Sequence, residues 1–257
     1  MKIEHIPNPN SIKITSFKFS CDNRDDDIPR PLPNTYNHFM VITAKPKQGK
    51  TTLLYNLLTK QKRASPYYKK FDKIYIFSPS LKTIDDDPFE SISENQKFTS
   101  LTYDNLQQVH DEIEDCGERV LILADDVVMD VAKDKEVAKL LTKMMMNRRH
   151  ITGKSDDDGG AGLSLWMTTQ VYNKMPRALR ATASHHIIFK TTNKKELATI
   201  FDELILLDRD DFRKLYRFVF DKKFNFLYVS TDELVENMYC KNFDQLKLKF
   251  DYDSGPF

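Results

Sequence analysis

The sequence predicts an α/β fold in which helices cover both faces of a mostly parallel sheet. Three observations point to it. Short apolar segments suited to buried strands alternate along the chain with segments of helical periodicity. The apolar run 39–42 leads through a lysine-rich loop into a helical pattern. The run 119–124 ends in the paired acids Asp125 and Asp126.

The chain divides into an N-terminal arm and one larger domain. Residues 1–37 contain one strand-like piece, 11–19, followed by a polar, proline-rich stretch. Residues 38–257 hold the alternating strands and helices. We therefore predict an extended arm and linker over 1–37 and a single domain over 38–257.

The predicted elements follow in chain order. The strands are expected at 39–42, 73–77, 98–103, 119–124, 163–169, 185–190 and 224–230. A helical pattern starts at Leu53, and further helices are expected at 104–114, 131–148, 194–206 and 208–218. Asp104 is the predicted N-cap of the helix that ends at 114.

The composition is that of a folded protein of moderate size. The 257 residues are 40% hydrophobic and 30% charged, and 39 basic against 38 acidic residues give a net charge of +1. A nucleic-acid surface would therefore require local segregation of charge. Cys21, Cys116 and Cys240 show neither metal spacing nor a disulfide framework. The start lacks an apolar signal segment, and no run approaches the ~18 apolar residues of a membrane span. We expect an intracellular, soluble protein.

The stretch from His38 to Thr52 has the form strand, loop, helix, with Gly49-Lys50-Thr51 at the turn into the helix. Backbone N–H groups and the dipole at a helix start attract anions, and Gly49 lets the backbone approach a phosphate. We predict a phosphate-binding P-loop in which Lys50 reaches the β- and γ-phosphates and the Thr51 hydroxyl ligates Mg²⁺. Ala44 stands where the motif usually has its first glycine. The predicted nucleotide-binding residues are Ala44, Lys45, Pro46, Lys47, Gln48, Gly49, Lys50, Thr51 and Thr52.

The two carboxylates after the strand 119–124 supply the second part of the predicted site. Asp125 is expected to hold Mg²⁺, and Asp126 to orient or deprotonate the attacking water. A second acid is typical of ATPases that hydrolyse their nucleotide, whereas GTPases and small-metabolite kinases generally lack it. The pair therefore favours ATP as substrate and Mg²⁺ as cofactor.

Basic residues close the helix that follows the acidic strand, in the segment 147–150 (NRRH). They can offset the helix dipole, an effect worth ~0.3–1 kcal/mol. Alternatively, Arg148 or Arg149 acts as an arginine finger on the γ-phosphate of a neighbouring subunit. Arg177 and Arg180 are further candidates for this role.

The motifs KPKQGKTT, LILADD, NRRH and WMTTQ, in this order and approximate spacing, resemble the genome-packaging ATPases of large DNA viruses, such as poxviruses, and of virophages. That family belongs to the FtsK–HerA superfamily of DNA-pumping motors, within the ASCE, RecA-like class of P-loop NTPases. The resemblance covers residues 38–190, roughly the P-loop strand to the strand after KMPRALR. It implies the roles already given for Lys50, Thr51, Asp125 and Asp126.

The resemblance also implies roles that the residues alone do not give. An extra strand, 163–169, is expected between the P-loop strand and the acidic strand, with Gln170 at its end sensing the γ-phosphate. Arg149 and His150 match an arginine-histidine pair of the family, whereas Arg148 stands where glycine is common. The implied partners are double-stranded DNA, further copies of the chain in a ring, expected to be a hexamer, and a capsid vertex or portal. The implied location is the viral factory of the host cell or the virion.

Other functions fit parts of the sequence. An ATPase of conjugation or replication would have the same hydrolytic site. A GTPase is suggested by Asp156–Gly159, which matches D-x-x-G, and by Asn193–Glu196, which approaches N-K-x-D. However, the first fragment lies far beyond the acidic strand, and Glu196 is longer than the expected aspartate. A non-catalytic binding module would not need the P-loop lysine and threonine together with both acids.

The candidate DNA-binding segment is 60–70 (KQKRASPYYKK). Its basic residues could bind phosphates, and Tyr67 and Tyr68 could stack on bases. The segment fits a solvated loop equally well. The loop 154–162 could instead line a central pore, although its aspartates would repel DNA.

Overall fold

The strands of the described residues form one sheet with apolar cores on both faces. The computed structural model describes residues 22–59, 65–80, 89–155 and 160–248. Their nine strands follow the order β3-β2-β4-β5-β1-β6-β7-β8-β9 across the sheet. The strands are β1 (Phe39–Thr43), β2 (Lys73–Phe77), β3 (Lys97–Phe98), β4 (Arg119–Ala124), β5 (Gly162–Thr169), β6 (His185–Phe189), β7 (Phe226–Ser230), β8 (Tyr239–Lys241) and β9 (Asp244–Gln245).

The strands β1 to β6 are parallel, and this part of the sheet has the predicted arrangement. β5 pairs with β1 on one side and with β4 on the other. The strand 163–169 therefore does lie between the P-loop strand and the acidic strand. Because parallel strands end at the same edge, the segments after β1, β4 and β5 meet at the carboxyl edge of the sheet.

The far side of the sheet is antiparallel. β7 pairs with β6 in the antiparallel sense, and β8 and β9 continue as short antiparallel strands. The sequence predicted a strand near β7 but neither β8 nor β9, because pieces of three and two residues are too short to show a period.

Seven α-helices lie among the described residues. They are α1 (Lys50–Leu58), α2 (Tyr103–Ile113), α3 (Val128–Lys133), α4 (Lys135–Met146), α5 (Arg177–Arg180), α6 (Lys194–Leu204) and α7 (Arg209–Val219). The helix predicted over 131–148 is interrupted at Asp134, whose carboxylate accepts hydrogen bonds from the amides of Glu136 and Val137 and so starts α4. The predicted cap Asp104 was wrong by two residues, since the Thr102 hydroxyl caps α2. None of the helices in the described ranges could cross a membrane.

Two apolar cores cover the two faces of the sheet, which confirms the α/β fold class. Side chains of β1 alternate between them, with Phe39 and Val41 in one core and Met40 and Ile42 in the other. The first core is closed by α2 to α7. The second is closed by α1 together with two segments that are not helical, 28–36 and 65–71. Helices thus contribute unequally to the two faces.

The segment before β1 belongs to the folded body. Ile28, Leu32 and Tyr36 are buried in the second core. The predicted arm and linker therefore does not extend up to residue 37, because these side chains cover the sheet beside α1. The strand-like piece 11–19 lies outside the described residues.

Candidate active site

The predicted P-loop forms the turn between β1 and α1 at the carboxyl edge of the sheet. Lys47 and Gly49 have positive φ angles of 64° and 95°, which fold the loop back before the helix. The Gln48 side chain stabilises this shape, accepting a hydrogen bond from the amide of Lys45 at 2.7 Å. The same side chain donates to the carbonyl of Lys190 at 2.8 Å, which fastens the loop to the end of β6. The first amides of α1 have no intrahelical partner, as in every helix, and so can bind an anion.

The alanine at the first motif position fits the loop. Ala44 is buried, and its amide donates to the carbonyl of Thr169 at 2.9 Å, which extends the pairing of β1 and β5. Its φ angle is not positive, so this position does not require glycine. Thr51 and Thr52 lie in the exposed first turn of α1.

Lys50 and the two predicted acids converge. The Lys50 Nζ lies 3.1 Å from Asp125 Oδ1 and also forms an ion pair with Asp126 Oδ2. The three side chains are 13%, 15% and 29% exposed, so the cluster lies in a cleft that solvent still reaches. The loop lysine and the acids at the end of β4 are thus brought together from positions 75 residues apart in the sequence, Lys50 and Asp125.

Two hydroxyl groups that the sequence did not single out hold Asp125 in place. The buried Thr168 of β5 donates to Asp125 Oδ1 at 2.7 Å, and Ser78, which follows β2, donates to Asp125 Oδ2 at 3.2 Å. Thr168 Oγ1 also accepts a hydrogen bond from the amide of Asp126 at 3.0 Å. A signal was available, since polar residues that follow or end neighbouring parallel strands converge on one edge.

Asp126 is held in an unusual backbone conformation next to Gln170. Its φ angle is 56°, in the left-handed region that aspartate and asparagine tolerate better than most residues. Gln170 Nε2 lies 3.4 Å from Asp126 Oδ2, a weak hydrogen bond. A cavity of about 250 Å³ opens beside the pair and is also lined by Met129 and Lys174. The carboxylate and the amide therefore face a space large enough for water and a reacting group.

The oxygen atoms at the carboxyl edge of the sheet are suitable ligands for a magnesium ion. Mg²⁺ prefers oxygen ligands and is usually bound by one or two carboxylates or hydroxyls together with substrate phosphates. Asp125 offers a fixed carboxylate, and the Thr51 hydroxyl lies at the start of α1. No group of three or more histidine, cysteine, aspartate or glutamate side chains within the described ranges could hold a metal by itself.

Arg148 and Arg149, two of the predicted arginine-finger candidates, lie away from the carboxyl edge of the sheet. The carbonyl of Arg148 accepts a hydrogen bond from the amide of Leu163 at the amino end of β5. Because the eight residues of β5 extend over about 23 Å, Arg149 is separated from Gln170 by the length of the strand. It cannot reach the P-loop of its own chain. Arg149 pairs there with Asp22, and both side chains are more than two-fifths exposed.

Arg148 and Arg180 have structural contacts within the chain. The Arg148 guanidinium donates to the carbonyls of Asn37 at 2.7 Å and Met145 at 2.9 Å. Arg180 forms a two-bond pair with Glu203, at 2.8 and 2.6 Å, which lowers the pKa of that carboxyl. Neither guanidinium is available to a neighbouring subunit without breaking these bonds, whereas Arg177 is exposed on α5.

The structure contradicts one part of the prediction for the candidate DNA-binding segment. Tyr67 is buried, donates to the carbonyl of Pro33 at 2.7 Å, and packs edge-on against Trp166. The prediction that Tyr67 stacks on bases was wrong, because its ring belongs to the core. Tyr68 is partly exposed, Lys70 pairs with Asp25 at 2.8 Å, and residues 60–64 lie outside the described ranges.

The second GTPase-like fragment has a structural role. Asn193 caps α6, accepting hydrogen bonds from the amides of Lys195 and Glu196. Glu196 is buried and accepts from the amide of Tyr172 at 2.7 Å and from Thr191 Oγ1 at 2.5 Å. Its carboxylate is therefore unavailable for a guanine base. The fragment 156–159 lies outside the described residues.

Solved structures of other proteins share this fold. The DNA-packaging ATPase B204 from Sulfolobus Turreted Icosahedral Virus is 12% identical, with a TM-score of 0.51 over 81% of this chain and 98% of that chain. The genome packaging NTPase B204 from Sulfolobus turreted icosahedral virus 2, in complex with ATP-gammaS, is 13% identical, with a TM-score of 0.53 over 82% of this chain and 100% of that chain. No protein-family model and no curated protein matches the sequence. At this identity the likeness establishes the fold alone: the chain has the mostly parallel α/β fold that these packaging ATPases have.

Proposed function

We propose that the chain is an ATPase that hydrolyses Mg-ATP and uses the energy to move double-stranded DNA into a viral capsid. The observation that carries the catalytic part is the convergence of Lys50 with Asp125 and Asp126, with Gln170 presented from the intervening strand β5. A lysine at the start of a helix can bind a phosphate group, and the fixed carboxylate beside it can bind a metal ion. The second carboxylate can position the attacking water molecule.

The chemistry follows from how each side chain is held. Lys50 offsets the negative charge that develops on the γ-phosphate oxygens. Asp125, fixed by hydrogen bonds from Thr168 and Ser78, and Thr51 would hold Mg²⁺, which would neutralise further negative charge on the phosphates. Asp126 orients the attacking water and accepts its proton, and Gln170 senses the γ-phosphate from the neighbouring position.

A neighbouring subunit completes the site in this proposal. Arg149 lies at the opposite edge of the sheet from its own P-loop, where it could face the P-loop of the next copy in a ring, expected to be a hexamer. Its pair with Asp22 is exposed, and such pairs are worth only ~0–1 kcal/mol, so its release costs little. Arg148 is a weaker candidate for the finger because its guanidinium is bound to two carbonyls.

The assignment to DNA packaging is supported by the motif resemblance and by the shared fold. It implies double-stranded DNA and a capsid vertex or portal as partners, and a location in the viral factory or the virion. A translocase of conjugation or replication would have the same catalytic site, and is the second candidate.

The catalytic part is tested with three variants of the full chain. Lys50→Ala should lower ATP turnover by about 10²–10³-fold, because it removes the charge nearest the transferred phosphoryl group. Asp126→Asn should keep ATP-gammaS binding and lower turnover by about 10²–10⁴-fold, since asparagine tolerates the same backbone conformation but cannot accept the proton. Lys139→Ala, at an exposed lysine on α4, is the control. Wild-type turnover in Lys50→Ala would end the P-loop assignment.

The motor part requires separate measurements. Linear duplex DNA should raise the ATP turnover of the wild-type chain, and ATP should drive displacement of a third strand annealed to that duplex. Equal ATP turnover with and without duplex DNA would contradict the proposal that the chain is a DNA motor. Cosedimentation with assembled capsid shells distinguishes packaging from the other DNA transactions.

A further inference from the structure

The sheet order separates the two flanks of the P-loop. Asp125, Asp126 and Gln170 lie at the ends of β4 and β5, on one side of β1. On the other side are β6 and β7, and the Gln48 side chain ties the loop to β6. Since the acids take the γ-phosphate end of a bound nucleotide, its base must extend away from them. The flank formed by β6 and β7 is free of those carboxylates.

An aromatic side chain lies on that flank. Because β7 runs antiparallel to β6, with Phe226 opposite Phe189, the turn before β7 returns to the edge that carries the P-loop. Phe224 lies in this turn. A Cβ built on Gly49 would be 3.5 Å from Phe224 Cδ1, so the ring lies beside the loop, where a side chain at position 49 would touch it.

The Phe224 ring is exposed although its turn is well anchored. The side chain is 55% exposed, and its φ angle of 70° is a strained conformation for a bulky residue. Asn225 stabilises the turn, donating to Asp221 Oδ1 at 2.7 Å and to the carbonyl of Val219 at 3.1 Å. Asn242 Oδ1 accepts from the amide of Phe226 at 3.1 Å. A strained, anchored backbone that presents an apolar ring to solvent indicates a ligand-binding role.

We propose that Phe224 stacks on the base of the bound nucleotide. Lys223 Nζ lies 4.7 Å from the ring centroid, so a cation already occupies one side of the ring and the base would take the other. Because every base has a π-face, this contact adds affinity for purine nucleotides without selecting adenine over guanine. The inference rests on the proposed nucleotide site, and its test separates binding of the base from binding of the phosphates.

The test compares ATP-gammaS with inorganic tripolyphosphate, each with Mg²⁺, on the full chain. Phe224→Ala should lower the affinity for ATP-gammaS by about tenfold or more, as expected from the loss of one stacked base. It should lower the affinity for tripolyphosphate by less than about twofold. Phe224→Trp, which keeps an aromatic ring at this position, should bind ATP-gammaS with the affinity of the wild-type chain. Phe218→Ala is the matched control, since Phe218 is equally exposed and also lies under a lysine, but on α7.

The Phe224→Trp variant also gives a direct optical signal. The chain has a single tryptophan, Trp166, which is completely buried, so the new indole is the only one exposed to a nucleotide. Its fluorescence should be quenched by ATP-gammaS and by GTP-gammaS but not by tripolyphosphate. Phe218→Trp should respond to none of them.

Two results would overturn the proposal, and they are distinguishable. If Phe224→Ala lowered the affinities for ATP-gammaS and tripolyphosphate equally, the ring would support the loop and would not contact the base. A wild-type chain that binds neither ligand would overturn the nucleotide site itself, and this proposal with it.

Discussion

Replacing Thr168 by valine tests how the proposed catalytic site at the carboxyl edge of the sheet is held together. The hydroxyl is completely buried, donates to Asp125 at 2.7 Å and accepts from the amide of Asp126 at 3.0 Å. Valine keeps the branched shape and removes both hydrogen bonds. A hydrogen bond to a charged group contributes ~1.5–3 kcal/mol and a neutral one ~0.5–1.5 kcal/mol. Water can partly replace them because Asp125 is 15% exposed, so we expect the free energy of unfolding to fall by ~2–3 kcal/mol.

The same change should alter the metal requirement of the folded protein. Without the Thr168 hydroxyl, the Asp125 carboxylate keeps Ser78 and Lys50 as its partners among the described residues and loses its fixed orientation. We expect the Mg²⁺ concentration for half-maximal ATP turnover to rise about tenfold, the equivalent of ~1.4 kcal/mol. Urea unfolding measures the stability, and a magnesium titration of turnover measures the second effect.

Thr168→Ser is the matched control. It retains the hydroxyl and loses one buried methyl group, which costs ~1 kcal/mol, and it should keep the wild-type magnesium dependence. If the valine variant were as stable as the serine variant and turned over ATP at the same magnesium concentration, the positioning role of Thr168 would be refuted.

Two further predictions concern assembly and pH. Arg149→Ala and Lys50→Ala should each have strongly lowered ATP turnover alone. Mixing the two variants should restore part of the turnover, because an intact P-loop can then meet an intact arginine. Mixtures that co-assemble yet stay inactive would count against a finger supplied by the neighbour. Burial lowers the pKa of His38 and of His186 to about 4, so both stay neutral in the folded chain while the unfolded chain binds protons below about pH 6.5. The free energy of unfolding should therefore decrease as the pH is lowered, by about 2 kcal/mol for each histidine between pH 7 and pH 5. Urea unfolding midpoints at the two pH values measure this decrease. Equal stability at both values would contradict neutral burial.

The parts of the site that the sequence revealed are local in the chain. Gly49, Lys50 and Thr51 are adjacent residues at a strand-to-helix turn, and Asp125 and Asp126 directly follow an apolar run. Such patterns depend only on neighbouring residues and on the period of the element that holds them. The fold class followed from the same alternation of strands and helices, and the position of the strand 163–169 followed from the motif resemblance.

The tertiary structure decided which distant side chains meet. Thr168 and Ser78 reach Asp125 only because β5 and β2 both flank β4. Burial is also a tertiary property: Tyr67, in a basic and aromatic segment, packs against Trp166 about a hundred residues away. Phe224 meets the P-loop because β7 runs antiparallel to β6 and returns the chain to the same edge. Strand order and direction are set by the summed packing of the whole chain. Local patterns can therefore mark polar residues at strand ends as candidates, but they do not decide which side chains meet.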